Sequence, residues 1–552
     1  MIRKVFIISL FVCCSNISFG QINLDVDASV SNLLRYGNGY EYSGAVRNAK
    51  EYFENLSDAR LKVNGIVFGL RYNISNPIEY GQNFVGIDKR YIQYEHDIGV
   101  SLRAGDFWEI IYRGLSLNVF EDRPLAYDTG IDGVRVTYNH NFGSKKKPFK
   151  FEAQVLGGDI KYSDYLDPDR EERYKVRGVF TEISPIKPLT VGFNFIYSIG
   201  ELPEQNVITT VTSNVPEVSA TYTTQDFEFY AGYAFKSSII TPNEIYPDPN
   251  TALGDGVYSS LSYSFNNIGL TLDYKNYRFD VTLPDNRSNT RPSRMLPYQN
   301  PPTAIREQTS VLISRNPHVV DFNDEVGGQI DLFYNPNDKL SFNLNASIAS
   351  RHYQYTDTDS SATVSYERVD RGDSFLPDLD DAFSPFWEFY LEGENYATED
   401  LYYKLAFARQ SSVLYNQLNP NSSEKILTST IPAEFKYSFY KNLTFKISAE
   451  MQWVHNSIRV SEDKNYTNQY FALSFIRAPD ITLTVGSEFT SDEEEPTGKS
   501  SWFIGEATYQ INQSNTVGVG FGTERGGLKC ANGICRFVNP FSGFRLSVAT
   551  QF

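Results

Sequence analysis

The chain has 552 residues and 62.8 kDa, a formal charge of −17, and 15% aromatic residues, nearly all Phe (39) and Tyr (38). So acidic a chain is a poor partner for nucleic acid, which demands an excess of Lys and Arg against phosphate. A mean hydropathy of −0.37 excludes a polytopic helical membrane protein, and the aromatic bias favours strands.

In chain order, the start reads MIRKVFIISLFVCCSNISFGQ. Arg3 and Lys4 precede the apolar run Val5 to Cys14, which is too short to span a bilayer as a helix. Ser18-Phe19-Gly20 supplies small residues, so residues 1–20 read as a secretory signal cleaved after Gly20. Val12 before Cys13 fits a lipoprotein signal poorly. Cleavage removes two positive charges from −17 and leaves −19. Of the four cysteines, only Cys530 and Cys535 remain, flanking Asn532-Gly533; in an exported chain they are expected to form a disulfide.

After residue 20 no run reaches 18 apolar residues, and the pattern alternates with period two. In NLTFKISAEMQW, Leu443, Phe445, Ile447, Ala449, Met451 and Trp453 share one face; Thr444, Lys446, Ser448, Glu450 and Gln452 share the other. Strands are expected near 22–36, 50–63, 66–75, 90–105, 107–121, 132–143, 149–162, 174–184, 188–200, 215–223, 226–236 and 254–265. The second dozen lies near 267–280, 326–335, 338–354, 384–396, 400–411, 425–440, 442–456, 466–477, 480–489, 501–511, 515–524 and 541–552. Most exceed the about five to six residues of soluble strands and match the nine or more of membrane-crossing ones.

Charge on one face calls for a wet lumen and oil on the other for lipid. The chain therefore reads as all-β, a single transmembrane antiparallel up-and-down β-barrel over residues 21–552, of about 24 strands (about 22–26), with both termini periplasmic. Its place is the outer membrane of a Gram-negative bacterium, in contact with outer-membrane lipid. Connections alternate between short turns (Asn64-Gly65, Gly105-Asp106, NQSN, RAPD) and long loops (201–214, 237–253, 281–325, 355–383). The last strand, GFRLSVATQF, turns Phe544, Leu546, Val548 and Phe552 outward, with Thr550 the weak position. It must pair with the first, because an open edge in lipid leaves backbone groups unpaired. A chain ending on a lipid-facing aromatic resembles the signal read by the barrel assembly machinery.

Three stretches are candidates for function. In RAGDFWEIIYRGLSLNVFEDR a change of parity implies a β-bulge at Gly114. Arg103, Glu109 and Arg113 then face the lumen, with Glu121, Asp122 and Arg123 at the outer rim. Loop 281–325 carries Arg287, Arg291, Arg294, Arg306 and Arg315 on a Pro-stiffened backbone; folded inward, it would meet wall carboxylates and form a constriction. Gly518, Gly520 and Gly522 line the inner face of one strand and leave room for a loop. SDEEEPTGK and LPDLDDAF read as solvated acidic loops. No nucleophile–base–orienter set is visible, so no enzyme is expected, with no cofactor, no metal site and no nucleic-acid partner.

The stretch GDFWEIIYRGLSLNVFEDRPLAYDTGIDG resembles the core GNFYEQFGRGL…YEDR.LGID…DG of an uncharacterised family of Bacteroidota outer-membrane barrels. The blocks QTSVLISRNPHVVDF…GGQIDLFY and RGGLKCANGICRFVNPFSGFRLSVATQF carry the resemblance further. Ile110-Ile111-Tyr112 departs from the family's Gln-Phe-Gly. The resemblance implies fold and location and transfers no activity. Two functions are open at this point. One is a porin-like channel for small polar solutes with an inward loop as constriction. The other is a structural or accessory subunit of an outer-membrane secretion, assembly or uptake complex, its lumen occluded and an outer-membrane protein its partner.

Overall fold

The computed structural model describes residues 25–144, 147–163, 170–204, 207–244, 247–248, 250–279, 296–357, 366–371, 374–414, 423–460 and 464–552. Within them, 24 strands form one closed antiparallel sheet. We number them β1 (Val26–Ser43), β2 (Val46–Val63), β3 (Ile66–Ser75), β4 (Phe84–His96), β5 (Val100–Phe107), β6 (Ile131–Ser144), β7 (Lys147–Ser163) and β8 (Glu171–Ile186). There follow β9 (Leu189–Glu204), β10 (Val207–Thr223), β11 (Phe227–Ile240), β12 (Asn250–Phe265), β13 (Ile268–Arg278), β14 (Glu325–Asn337), β15 (Leu340–Ser350) and β16 (Phe386–Tyr396). The last eight are β17 (Leu401–Leu414), β18 (Glu424–Tyr440), β19 (Leu443–Asn456), β20 (Asn465–Arg477), β21 (Ile481–Thr490), β22 (Ser501–Asn512), β23 (Asn515–Thr523) and β24 (Phe541–Gln551).

Each strand pairs with its sequence neighbours, and β1 closes on β24 with Ser31 opposite Gln551 and Glu41 opposite Phe541. The Val30 amide donates to the Phe552 carbonyl at 3.0 Å, and the Phe552 amide donates back at 2.8 Å. Closure leaves no wall edge unpaired in lipid, the condition a membrane-spanning sheet must meet. Tight turns cluster at the end where the sheet begins and finishes, and the long connections lie at the other.

The alternation sets what faces out. On β18 the side chains of Ile431, Phe435, Tyr437 and Phe439 are exposed, as are Phe445 and Trp453 on β19, while Gln452 is buried inside. This is the lipid-facing band of an outer-membrane barrel. Higher on β7 and β8 the pattern inverts. Leu156, Ile160, Tyr174 and Val176 are buried inward, and the other parity carries Asp159, Lys161, Arg173, Lys175 and Arg177. The wall there stands clear of lipid and has oil on its inside.

Five expectations are corrected. The strand foreseen at 90–105 is two strands, β4 and β5, joined at Asp97-Ile98-Gly99; Gly99, at φ 90°, donates its amide to the His96 carbonyl at 2.9 Å. The strand foreseen at 107–121 is no part of the wall: the chain leaves it at Phe107 and folds inward. The two errors cancel in the count. Gly105-Asp106 lies within β5, and Gly114 is a turn at φ 88° that closes onto the Ile111 carbonyl, not a bulge. The physical reason is that alternation marks an apolar face without saying whether lipid or a luminal core covers it. The loop foreseen at 201–214 is mostly strand, since β9 and β10 run to Glu204 and from Val207.

Candidate functional site: a plug made of loops

Two segments of loop enter the barrel. The first, residues 108–130, joins β5 to β6; the second, residues 296–324, is the described part of the connection from β13 to β14. Their apolar side chains, Ile111, Leu115, Leu117, Val119, Leu296, Tyr298, Ala304 and Phe322, share one buried cluster with the inner face of the wall from β6 to β13. Tyr112, at φ 50°, turns the first segment deep in the lumen, where its hydroxyl donates to the Thr181 carbonyl at 2.9 Å. The inner face of β9 is cut back to Gly192 at this point: a Cβ there would lie 2.2 Å from the Tyr112 ring.

The segments also bond to each other. The Asn118 amide donates to the Tyr298 carbonyl (2.8 Å), and the Asn118 and Asn300 side chains exchange hydrogen bonds with each other's main chain (2.7 and 2.9 Å). Gln299 Nε2 donates to the Leu115 carbonyl (2.9 Å) and Tyr127 to that of Pro297 (2.8 Å). Burial drives the Tyr127 and Tyr298 hydroxyls up in pKa, so both stay protonated.

Toward the later strands the contacts become polar. Glu450 on β19 accepts from the Ser310 hydroxyl (2.6 Å) and the amides of Val311 (3.0 Å) and Leu312 (2.8 Å), capping the short 3-10 turn Ile313–Arg315. Glu388 on β16 accepts from Gln308 (2.6 Å) and Gln410 (2.7 Å). Arg306 donates to Asn343 (2.7 Å) and lies 3.6 Å from the Asp331 carboxylate. Arg315 pairs with Glu488 on β21 (2.5 Å), which Arg525 also meets (3.0 Å). Arg287, Arg291 and Arg294 lie outside the described residues.

The lumen cluster read from sequence is dispersed. Arg103 donates to the Asp106 carbonyl (3.0 and 2.7 Å), Glu109 takes Arg135 (2.5 Å), and Arg113 reaches Glu228 (3.0 Å). Glu121 is held between Arg71 (2.9 Å) and Arg123 (3.2 Å), beside Tyr80 and Gln82 of the β3–β4 connection, and Asp122 accepts the Leu125 amide (3.1 Å).

A third element closes the group. Gly527–Ala531 and Ile534–Val538 form a hairpin bridged by the Cys530–Cys535 disulfide. Its Ile534 is buried with Leu125 and Tyr127 of the first segment, and Gly533 abuts Phe322 of the second, where a Cβ would lie 2.3 Å from the ring. Two cavities flank it, of about 280 and 310 Å³, sharing Ser314 and Lys529 in their linings. The second opens on Glu488, Trp502, Glu524 and Arg525 of the wall and its upper rim. Beside it Gly520 faces inward on β23; a Cβ there would meet nothing nearer than 3.9 Å. Sequence reasoning missed the first segment and the acceptors Glu388 and Glu450, which look like any inward polar residue on a strand.

The lumen is thus filled unevenly. Among the described residues, the filling against β6 to β13 is packed and largely apolar; against the strands from β16 to β24 it is mostly polar, apart from Ile313 on Tyr390, Ala406 and Ala408, and the two cavities lie on that side. Nearer the tight turns, Lys436 and Lys446 pair with Glu434 (2.7 Å each) and Lys404 with Glu392 (3.3 Å).

Taken together, the closed wall and its apolar band define an outer-membrane β-barrel. The chain belongs to a family of unknown function (DUF6029), whose model matches residues 4–552. Comparison with curated proteins finds no match. Solved structures similar to it are outer-membrane receptors and transporters. The siderophore receptor PirA from Pseudomonas aeruginosa is 8% identical, over 95% of this chain and 80% of that one, with a TM-score of 0.43. The copper transporter OprC is 12% identical, over 97% and 81%, at 0.41. The unliganded ferric citrate transporter FecA is 10% identical, over 95% and 79%, at 0.38.

Proposed function

We propose that the protein is a narrow, porin-like outer-membrane passage for small polar solutes, with the loop plug as its constriction. The observation that carries this reading is the asymmetry of the filling. A barrel of this size without filling would be a wide hole, since 16–18 strands already enclose an aqueous channel. The plug is anchored by oil on one side, and the path runs on the other. It follows the polar seam along β20 to β24, past Arg315, Glu488 and Arg525, into the charged space near the tight turns. Residues 1–20 serve as the export signal, so the mature chain begins at Gln21.

Purified protein in planar bilayers tests this. Small, steady currents that fall on Gly520→Trp support the passage. Silence across all voltages, with a stable co-purifying outer-membrane protein, favours the second reading, an accessory barrel; the continuous apolar core between plug and wall is the observation on its side.

A further inference from the structure

A different part of the outer end carries an inference independent of any passage. On β13 outward parity is fixed by the register. Leu272 is exposed opposite Ile330, also exposed, while Asp273 and Lys275 point inward to Gln329 (2.8 Å) and Glu325 (2.6 Å). Tyr274 and Asn276 are therefore outward, on the lipid side. Both hold the main chain of the loop between β15 and β16. The Tyr274 hydroxyl donates to the Phe375 carbonyl at 2.8 Å, and Asn276 Nδ2 donates to the Ser374 carbonyl at 2.6 Å. On β15 the outward Ser350 hydroxyl accepts from the Asp378 amide (2.9 Å) and from Arg371 (3.0 Å). Between Asn276 and Ser350 in the register lies Val326, outward yet 0% exposed. Opposite Tyr274 the wall carries Gly328, with no side chain to hold the loop off.

The loop is thus draped over the outside of the barrel, at the upper end of its apolar band. There Phe375, Leu376 and Leu379 are 71%, 64% and 56% exposed. Large side chains so exposed, on a segment clamped to a membrane-facing wall, continue the band below them. Exposed apolar groups contiguous with a lipid-facing surface are covered by that lipid when the protein is in its membrane. The acidic residues of the same stretch turn to other partners: Asp380 caps Ala382 (2.9 Å) and Asp381 takes Lys425 of β18 (2.8 Å).

We propose that residues 374–379 are a lipid foot, a loop clamped outside the barrel whose Phe375, Leu376 and Leu379 enter the outer leaflet. A soluble protein covering the same residues is the competing outcome.

The full chain carrying Phe375→Cys or Leu379→Cys, labelled with an environment-sensitive fluorophore and reconstituted in phosphatidylcholine vesicles, decides between them. The unsubstituted protein, labelled identically, sets the background from other thiols, and both positions are exposed, so the barrel tolerates the change. Blue-shifted emission, quenched when the acyl chains are brominated and shielded from aqueous iodide, is the expected result at both sites. Emission at the wavelength of the label in water, quenched by iodide and indifferent to bromine, overturns the foot. The substitution Phe375→Asp with Leu376→Asp gives a second reading: loss of bromine quenching from a label at 379 supports insertion driven by the neighbouring pair, and unchanged quenching removes them from it.

Discussion

At the level of single residues, the plug is held by a few groups whose loss has different consequences. Glu450 satisfies two main-chain amides and a hydroxyl at the start of the turn 310–316. Glu450→Ala strips those part-buried hydrogen bonds of their acceptor at a cost of about 1 kcal/mol each, the net worth of a hydrogen bond that water can still reach. The wall does not depend on them, so the expected outcome is local: faster hydrogen exchange at Val311 and Leu312 with the heat resistance of the barrel unchanged. Arg315→Ala is milder for its partner, since Arg525 still pairs with Glu488; it should raise conductance without loosening the fold. Gly520→Trp acts in the opposite direction. An indole built where a Cβ has 3.9 Å of clearance projects into the seam and should abolish most of the current. If current survives at the parental level, solutes do not pass along β23. Arg315 and Gly520 were singled out by the sequence; the role of Glu450 is not visible there. Glu450 alternates in NLTFKISAEMQW like Lys446 or Ser448, and only the position of a loop 140 residues away in the chain gives it a partner.

At the level of elements, the wall was readable and its filling was not. Period two and turn signals place most strands to within a few residues, because lipid enforces the alternation along the whole strand. They fail at 107–121, where Ile111, Leu115, Leu117 and Val119 have strand-like spacing but serve a luminal core. Packing inside a barrel uses the same residues as contact with lipid, so the local pattern cannot separate them. An inward course for loop 281–325 was expected from its Arg and Pro content, and its described part, residues 296–324, enters the barrel; the apolar anchors Leu296, Tyr298 and Phe322 were passed over. Deleting residues 286–316 behind a Gly/Ser bridge should therefore do two things: increase conductance and sensitivity to bulky antibiotics, and leave Leu115 and Leu117 without cover. A deletion that folds and conducts like the parent would mean that the first segment alone suffices. The hairpin offers a reversible version. Reducing Cys530–Cys535 frees the strands that carry Ile534 into the plug. A membrane-impermeant thiol reagent should label intact cells only after reduction, and bilayer currents should rise in the same samples; labelling without reduction would show the bond to be absent in cells.

For the whole molecule, stability resides in a cylinder in which every strand has two neighbours. Such barrels unfold as a unit and slowly, so unboiled protein in SDS should migrate differently from boiled protein. Identical mobility together with a helical far-UV spectrum would contradict the architecture. The lateral division of the lumen predicts further that plug variants on the apolar side, such as Leu117→Asp, lower the temperature at which the fast-migrating form is lost, while variants on the polar side change conductance alone.

That division also bears on how the molecule is made. The two long segments in the cylinder belong to the connections from β5 to β6 and from β13 to β14, and the apolar cluster they share is built on the strands lying between. The closing pair, β1 and β24, contributes no residue to that cluster; beside it Arg35 pairs with Glu54 and Glu79, Arg545 with Glu79 and Glu524, and Phe541 of β24 packs edge-on against Tyr52. A growing sheet can therefore gather its contents around the middle strands while its two ends are still apart. The final zipping of β24 onto β1 then has to form the hydrogen bonds of the seam and seat Phe541 on Tyr52 and Ile534 on Leu125 and Tyr127, while the larger apolar cluster is already in place.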